Sequence, residues 1–397
     1  MPDMATATEK ETIGEKFTRA ASATVSAVKG MGPNTAHTIG LIMNSVLAII
    51  FIWLVVWTRG KKESNDNKMV AYYEKSSKPG SINDVDERYS YLLRDYYIMT
   101  AYNCCCSGEY ASDFVSTTAL ETVIKQGARV LDFEIYSVDG VPVVAASSQP
   151  EFTMKEVYNY VPFAEAIKVV EQLAFSTSGA QNSNDPLFLC LRIKSRNIMI
   201  YQAIADILKN NLSHRLLDPR FAYSFHGEDL GKIRLTSLMN KIIIILDETP
   251  GDSKINTREI YKRTPLYEYV NVTVTSGTSK YTFKEVEELN NNTIKEAAKK
   301  SLKYIVPERS TKSENLYAST NPFNDGCQMV AMAFQKNDSN IIAYIEKFRV
   351  VGSAFILKPP ELRYVPIVLK NPNPIDPTKT PTSDKTATTS MGVDFNM

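Results

Sequence analysis

The chain has 397 residues, and its 45 lysines and arginines nearly balance 44 aspartates and glutamates, giving a formal net charge of +1. This charge provides no overall field to attract a polyanion, so we expect no nucleic-acid partner. The 5 cysteines include no C-x-x-C pair, which argues against a disulfide framework or a zinc site, and the 3 histidines leave few candidates for an enzyme that needs two imidazoles.

The N-terminal region divides into a tail and an apolar segment. Residues 1–37 are small and polar and predict a tail. Residues 38–58 contain no charged side chain, and as a helix they span a hydrocarbon core of about 30 Å. Trp53 and Trp57 lie toward the end of this segment, where tryptophans favour the membrane interface. We predict a single transmembrane helix over 38–58, because core helices and signal-peptide segments are usually shorter.

Charges beyond this segment predict its orientation. Arg59, Lys61 and Lys62 follow it, whereas the nearest lysine or arginine before it is Lys29. The positive-inside rule therefore predicts a single-pass protein whose C-terminal part lies on the cytosolic side. Residues 59–86 are polar and predict a linker that holds the next domain clear of the bilayer.

From about Glu87, short β-branched apolar runs alternate with helix-like stretches. The runs predict strands at Ala128–Tyr136, Pro142–Ala146, Leu187–Ile193, Lys241–Leu246, Tyr269–Val274, Gln328–Phe334 and Ala354–Leu357. The intervening stretches predict helices at Thr117–Gln126, Pro162–Ala174, Met199–Asn210, Glu285–Tyr304 and Ile341–Phe348. Such alternation indicates an α/β protein with a mostly parallel sheet and favours a closed barrel, although a doubly wound sheet has the same periodicity. Residues 371–397 are rich in proline and threonine and predict a disordered tail.

Two blocks of motifs carry a family resemblance. The first comprises YYIMTAYNC at 96–104, QGARVLDFE at 126–134 and DGVPVVAASS at 139–148. This block resembles the X half of the eukaryotic phosphoinositide-specific phospholipase C barrel. The second comprises NPFNDGCQMVAMAFQ at 321–335 and FILKPPELR at 355–363, and it resembles the Y half of the same barrel.

The resemblance implies a distorted TIM-type (β/α)8 barrel that follows the N-terminal transmembrane helix. It divides the barrel into an X-like half at 87–248, a short linker at 249–264 and a Y-like half at 265–370. The pleckstrin-homology domain, EF-hands and C2 domain found in many eukaryotic members have no counterpart in the sequence.

The catalytic histidines of the family are missing. Their positions correspond to Tyr102 and Ala146. An alanine cannot transfer a proton, and a phenol with a pKa of about 10 is a poor substitute for imidazole near neutral pH. The resemblance therefore implies that the acid–base machinery has been lost.

The family's calcium positions correspond to Asn103, Asp132, Glu134 and Arg192. A guanidinium would repel a cation that needs several oxygen ligands, so these positions are interpreted as vestigial and no metal is expected. We hypothesise that Arg192 points into the barrel mouth and pairs with Asp132 or Glu134. The family's phosphate-binding positions are also degenerate, and they correspond to Ile245, Asp247, Tyr304 and Val306.

Three further patterns each have two interpretations. Asp132 and Glu134 are either a paired-carboxylate catalyst on one strand face or residual charges neutralised by arginine. His226 is either a relocated base or a loop residue. Cys104–Cys106 supplies either a thiol nucleophile or metal ligand, or small residues that fill a collapsed site.

We therefore interpret the chain as a membrane-anchored, catalytically inactive phospholipase C-like pseudoenzyme. Its barrel would serve as a scaffold or a binding module for a lipid headgroup or a protein partner, and one version is a structural protein of a membrane-bearing assembly such as a virion. The alternative is an active phosphodiesterase that cleaves phosphoinositides or another phospholipid with rearranged groups. Calcium is a cofactor only under this alternative.

Overall fold

The computed structural model describes residues 22, 33–149, 154–222, 229–248, 257–274, 278–289, 291–315, 322–365, 387–388 and 394–395. Its helices are α1 (Pro33–Tyr73), α2 (Thr117–Lys125), α3 (Phe163–Ala174), α4 (Ile198–Leu212), α5 (Thr257–Tyr261), α6 (Leu266–Tyr269), α7 (Phe283–Glu288), α8 (Asn291–Lys300) and α9 (Ser339–Val351). Its strands are β1 (Tyr96–Ala101), β2 (Val130–Val138), β3 (Val141–Val144), β4 (Val161–Pro162), β5 (Leu187–Lys194), β6 (Ile242–Leu246), β7 (Val272–Thr273), β8 (Thr278–Thr282), β9 (Leu302–Val306), β10 (Met329–Met332), β11 (Phe355–Leu357), β12 (Ala387–Thr388) and β13 (Asp394–Phe395).

Parallel strands form a nearly closed barrel in the order β1, β2, β5, β6, β7, β8, β9 and β10, and β10 pairs again with β1. Within the described residues, no pairing joins β7 to β8. β3 and β11 add antiparallel strands beside β2 and β1. The predicted (β/α)8 barrel is confirmed, and crossover helices such as α2 between β1 and β2 and α4 between β5 and β6 connect its parallel strands.

Several barrel strands, such as β6, are apolar on both faces because side chains of the interior and of the surrounding helices cover them. All residues of β1 and of β6, whose sequence is IIIIL, are buried. The surrounding helices have caps encoded locally. Ser116 accepts a hydrogen bond from the Ala119 amide at the start of α2, and Asp338 accepts from the amides of Asn340 and Ile341 at the start of α9.

One predicted helix is wrong. The segment Glu285–Tyr304 forms α7, α8 and the barrel strand β9 instead of a single helix. A capping box at Thr282 begins α7, and the run LKYIV is apolar and aromatic enough to take a fully buried strand position. The strand β8 was not predicted, because its sequence TSKYT is largely polar.

The apolar N-terminal segment belongs to a longer helix than predicted. Within the described residues, one helix, His37–Tyr73, is long and apolar enough to cross a membrane, and the rest of the protein covers none of its most apolar window. α1 continues through the first part of the predicted linker 59–86, since residues 61–73 contain no proline or glycine to end it.

The continuation of α1 is docked on the barrel. The Lys61 amine lies 3.3 Å from the Asp113 carboxylate, and the Asn65 side-chain amide donates to the same carboxylate at 2.8 Å. Farther along, Met69 is buried, and the Tyr73 hydroxyl donates to the Phe334 carbonyl at 2.5 Å. These contacts replace the flexible connection that a polar linker would have provided.

Parts of the predicted domain plan lie outside the described residues. This holds for most of the tails 1–37 and 371–397 and for the first part of the linker 249–264. Within the last tail, β12 and β13 pair antiparallel.

Candidate functional site

The candidate site lies inside the barrel at the carboxyl ends of β2, β5 and β9. Asp132 and Glu134 are alternate residues of β2, so both side chains point to the barrel interior. Arg192 on β5 is in register with Glu134, and Tyr304 on β9 reaches the same cluster. Parallel strands bring their carboxyl ends to one mouth, which is where barrel enzymes place their sites.

Arg192 occupies the centre of this cluster. Its Nη2 lies 2.6 Å from Asp132 Oδ1, with Arg192 4% and Asp132 0% exposed. The same nitrogen donates to Asn103 Oδ1 at 2.5 Å, and Nε donates to Asp132 Oδ2 at 3.0 Å. Burial disfavours the charged guanidinium, but Asp132 and its neighbours more than compensate, and the pKa of Arg192 is raised above its ordinary value. The hypothesised ion pair is present.

Glu134 is surrounded by three cations. Arg192 Nη1 lies 3.4 Å from its Oε2, while Lys194 Nζ and Arg309 Nη1 each lie 3.8 Å from its Oε1. The Tyr136 hydroxyl donates to Oε1 at 3.1 Å. Burial lowers the pKa of Lys194 to about 8, and Glu134 opposes this shift. The Glu134 carboxylate is therefore buried and neutralised by neighbouring cationic side chains.

The two positions that correspond to the family's histidines are buried. Tyr102 is buried after β1, and its ring faces the guanidinium of Arg192 at 4.6 Å. Burial raises the pKa of Tyr102 above its ordinary value, which makes the phenol a still weaker proton donor. Ala146 is fully buried, and its carbonyl accepts a hydrogen bond from the Glu156 amide at 2.9 Å.

The residues that correspond to the family's calcium ligands do not fit a calcium ion. A divalent cation needs carboxylate and amide oxygens that are free to converge on it. Here one oxygen of Asn103 and both oxygens of Asp132 already accept hydrogen bonds from Arg192. The described residues also include no group of three or more His, Cys, Asp and Glu side chains that could hold a metal.

The phosphate positions likewise lack a cationic cradle. Ile245 is a buried residue of β6, and Val306 is a buried residue at the end of β9. Asp247 pairs with Lys280 of β8 at 2.5 Å. The Tyr304 hydroxyl donates to Asp132 Oδ2 at 2.7 Å, so this side chain is part of the buried cluster around Arg192.

Loops from several strands meet above the cluster. The Tyr110 amide donates to the Thr311 carbonyl at 3.1 Å, and the ring of Tyr110 contacts the ring of Tyr102 edge-on at 5.7 Å. The Ser313 hydroxyl donates to Glu109 at 3.0 Å, which ties the same two loops together a second time. These contacts close part of the mouth with the chain's own side chains.

The cysteine run lies beneath these loops. All three thiols of Cys104–Cys106 are buried, and burial raises the pKa values of Cys104 and Cys106 well above the ordinary value. A high thiol pKa disfavours the thiolate that a nucleophile or metal ligand requires. His226, the other candidate base, lies outside the described residues.

Sequence reasoning missed several members of the cluster. Lys194 could have been found from strand alternation, because it lies two residues beyond Arg192 on β5. Lys280 belongs to the unpredicted strand β8, and Arg309 lies in a loop without local periodicity. Their contacts with Asp247 and Glu134 join distant parts of the chain.

Comparisons with known proteins support the barrel fold and the resemblance of its X-like half. Residues 89–247 match the family described as "Phosphatidylinositol-specific phospholipase C, X domain". No match was found among curated proteins. The fold is similar to the crystal structures of L. pealei PLC21, with a TM-score of 0.54, and S. officinalis PLC21, with a TM-score of 0.55, each at 17% sequence identity. Both alignments cover 70% of this chain and 38% of the other chain, so the chain spans well under half of those proteins.

Proposed function

We propose that the chain is a member of the phosphatidylinositol-specific phospholipase C family, whose X-domain model matches residues 89–247, and that it is a membrane-anchored member whose barrel does not hydrolyse phosphodiesters. The barrel acts instead as a scaffold or binding module. The observation that carries the proposal is the buried guanidinium of Arg192 among Asn103, Asp132 and Glu134.

The chemistry of phosphodiester cleavage supports this proposal. The reaction needs a base for the attacking hydroxyl, an acid for the leaving oxygen and positive charge on the phosphoryl group. Ala146 has no titratable group, and the buried phenol of Tyr102 has a raised pKa. Arg192 is positively charged, but Asp132 and Asn103 already use its donors. Within the described residues, the two positions that correspond to the family's histidines therefore offer no imidazole-like acid or base, and the Arg192 nitrogens that bind Asp132 and Asn103 are not free to hold a phosphoryl group.

The apolar part of α1 supports membrane anchoring. Its large side chains are exposed, including Phe51 at 67% and Ile49 at 65%, and such a surface is stable only in a lipid or protein environment. The basic residues Arg59, Lys61 and Lys62 support a cytosolic barrel. Binding of a lipid headgroup or a protein partner to the barrel is part of the same proposal.

The experiment is hydrolysis of phosphatidylinositol and its bisphosphate by the full chain reconstituted in liposomes, with calcium and with a chelator. We expect no release of inositol phosphate under either condition. Turnover that disappears in Asp132→Asn or Glu134→Gln would support the alternative, an active phosphodiesterase with rearranged groups. Turnover unaffected by both variants would indicate a contaminating enzyme, and the preparation would be repurified and reassayed.

A further inference from the structure

The inference concerns the part of α1 inside the bilayer, and it rests on the proposed anchoring by this helix. Besides its tryptophans, the apolar segment 38–58 has two polar side chains in its interior, Asn44 and Ser45. Asn44 lies six residues beyond the start of the segment, about 9 Å along the helix axis. An asparagine side chain is too short to reach the headgroups from that depth, so its amide lies in hydrocarbon.

The polar side chains of this segment differ in their hydrogen bonds. The Ser45 hydroxyl donates to the Leu41 carbonyl at 2.9 Å, and the Thr58 hydroxyl donates to the Val55 carbonyl at 3.0 Å, so both hydroxyls are satisfied within the helix. Within the described residues, no hydrogen bond reaches the Asn44 side chain, and the rest of the protein covers none of the most apolar window of α1. An amide without a partner is unfavourable in hydrocarbon, so Asn44 requires a donor and an acceptor from another molecule.

The surface around Asn44 can admit a second helix. Gly40 and Ala48 lie four residues before and after it, on the same face of α1. A methyl group at Gly40 would meet no atom within 4 Å, so the helix surface is open there. Small residues let two helix backbones approach closely enough for side chains to form hydrogen bonds between helices. Trp53, nine residues beyond Asn44, lies on the opposite face and leaves this approach clear.

We propose that the amide face of α1, formed by Gly40, Asn44 and Ala48, binds the same face of a second copy of this chain in the bilayer. A carboxamide both donates and accepts, so two Asn44 side chains related by a two-fold axis satisfy each other. A second copy brings this amide at the same depth in the membrane and with the same small neighbours. The unpaired amide carries the proposal, and the small residues permit the close approach that it requires.

The two barrels leave room for this contact. The ion pair between Lys61 and Asp113, which docks α1 on the barrel, lies 17 residues beyond Asn44, about 26 Å along the helix axis. Helices that meet through small residues commonly cross at about 40°, so the two copies of α1 diverge before the barrels begin. The contact in the bilayer therefore requires no interface between the barrels.

The test is cysteine cross-linking of the full chain in phosphatidylcholine vesicles. The native cysteines are buried, and the unmodified chain measures the background. Ala48→Cys places a thiol on the amide face, and Val46→Cys, which points to the opposite side of the helix, is the matched control. Each variant is oxidised with copper phenanthroline, and the dimer fraction is measured over a range of protein-to-lipid ratios. The measurement is repeated with Asn44→Leu and with Ser45→Ala, which removes the hydroxyl that is already satisfied.

We expect cross-linking at position 48 and not at position 46. Asn44→Leu should weaken dimerisation by about 3- to 20-fold, whereas Ser45→Ala should leave it unchanged. Cross-linking that is unchanged in Asn44→Leu, or equal at positions 46 and 48, would overturn the inference. Absence of cross-linking at both positions, in a chain that stays in the vesicles through an alkaline carbonate wash, would overturn it and leave the anchoring intact. Release of the chain by the wash would contradict the anchoring and the inference together.

Discussion

The guanidinium of Arg192 and the carboxylate of Asp132 form a buried ion pair, in which Nη2 lies 2.6 Å from Oδ1 and neither side chain is more than 4% exposed. A buried ion pair adds little net stability compared with a well-packed apolar pair, but the loss of one partner leaves an unpaired charge in the interior. Arg192 therefore balances the charge of the buried carboxylates around it, and the stability lost when it is replaced can be measured.

The variant Arg192→Met should destabilise the protein strongly. It leaves Asp132 buried with only its neutral partners, and such losses cost about 3–5 kcal/mol. The matched control is Arg349→Met, which removes an exposed pair with Glu346 and should change the stability far less, because solvent screens an exposed ion pair. Thermal unfolding of the full chain in detergent measures both, and equal shifts would contradict a central role for Arg192.

The variant Arg192→Glu should create a cation site. It removes the guanidinium and adds a carboxylate beside the oxygens of Asn103, Asp132 and Glu134, which is the kind of donor set that calcium prefers. We expect millimolar calcium to raise the melting temperature of the variant and a chelator to reverse the effect. A ligand at 100 times its Kd stabilises by about 2.7 kcal/mol.

Two controls accompany the calcium experiment. The unmodified protein should show no calcium-dependent shift, because Arg192 occupies the position. Adding Asp132→Asn to Arg192→Glu should weaken the shift in the variant. A calcium-dependent shift in the unmodified protein would refute our interpretation of the cluster.

Lys358 should make stability depend on pH. Burial lowers its pKa to about 7, with partial compensation by Asp95. An unfolded lysine has a pKa of about 10.4, so between about pH 7 and 10 the unfolded chain binds the extra proton, and this penalty on folding shrinks as the pH rises. The stability of Lys358→Met relative to the unmodified protein should therefore fall from pH 7 to pH 10. A pH-independent difference would show that Lys358 retains its ordinary pKa.

Two glycines with positive φ separate backbone strain from steric clash. Gly127 has φ +95°, and a Cβ there would collide with the ring of Pro79, whereas Gly140 has φ +77° and no atom near its Cβ position. Gly140→Ala should lower the free energy of unfolding by about 1 kcal/mol through backbone strain alone. Gly127→Ala should lower the free energy of unfolding by about 1–3 kcal/mol more than Gly140→Ala, because the new methyl group overpacks against Pro79. Denaturant unfolding would test this order, and similar losses would indicate that Pro79 moves aside.

Local sequence patterns were sufficient for much of the barrel. Apolar β-branched runs such as IIIIL at 242–246 predicted buried strands, and the motifs of the X half placed Tyr102 and Ala146 at the histidine positions. The pattern failed for Glu285–Tyr304, where a strand follows two short helices, and for the polar strand β8. In both cases pairing with neighbouring barrel strands decided the structure more than local propensity did.

The sequence by itself determined the apolar segment, the α/β alternation and the absence of imidazoles at the two motif positions, because each depends on residue type, length or period along the chain. Only the tertiary structure decided that Arg192 contacts Asn103, Asp132 and Glu134 together, and that α1 continues past the apolar segment to dock on Asp113. The distances between these charged groups depend on how strands and loops far apart in sequence pack, and no local pattern encodes that packing.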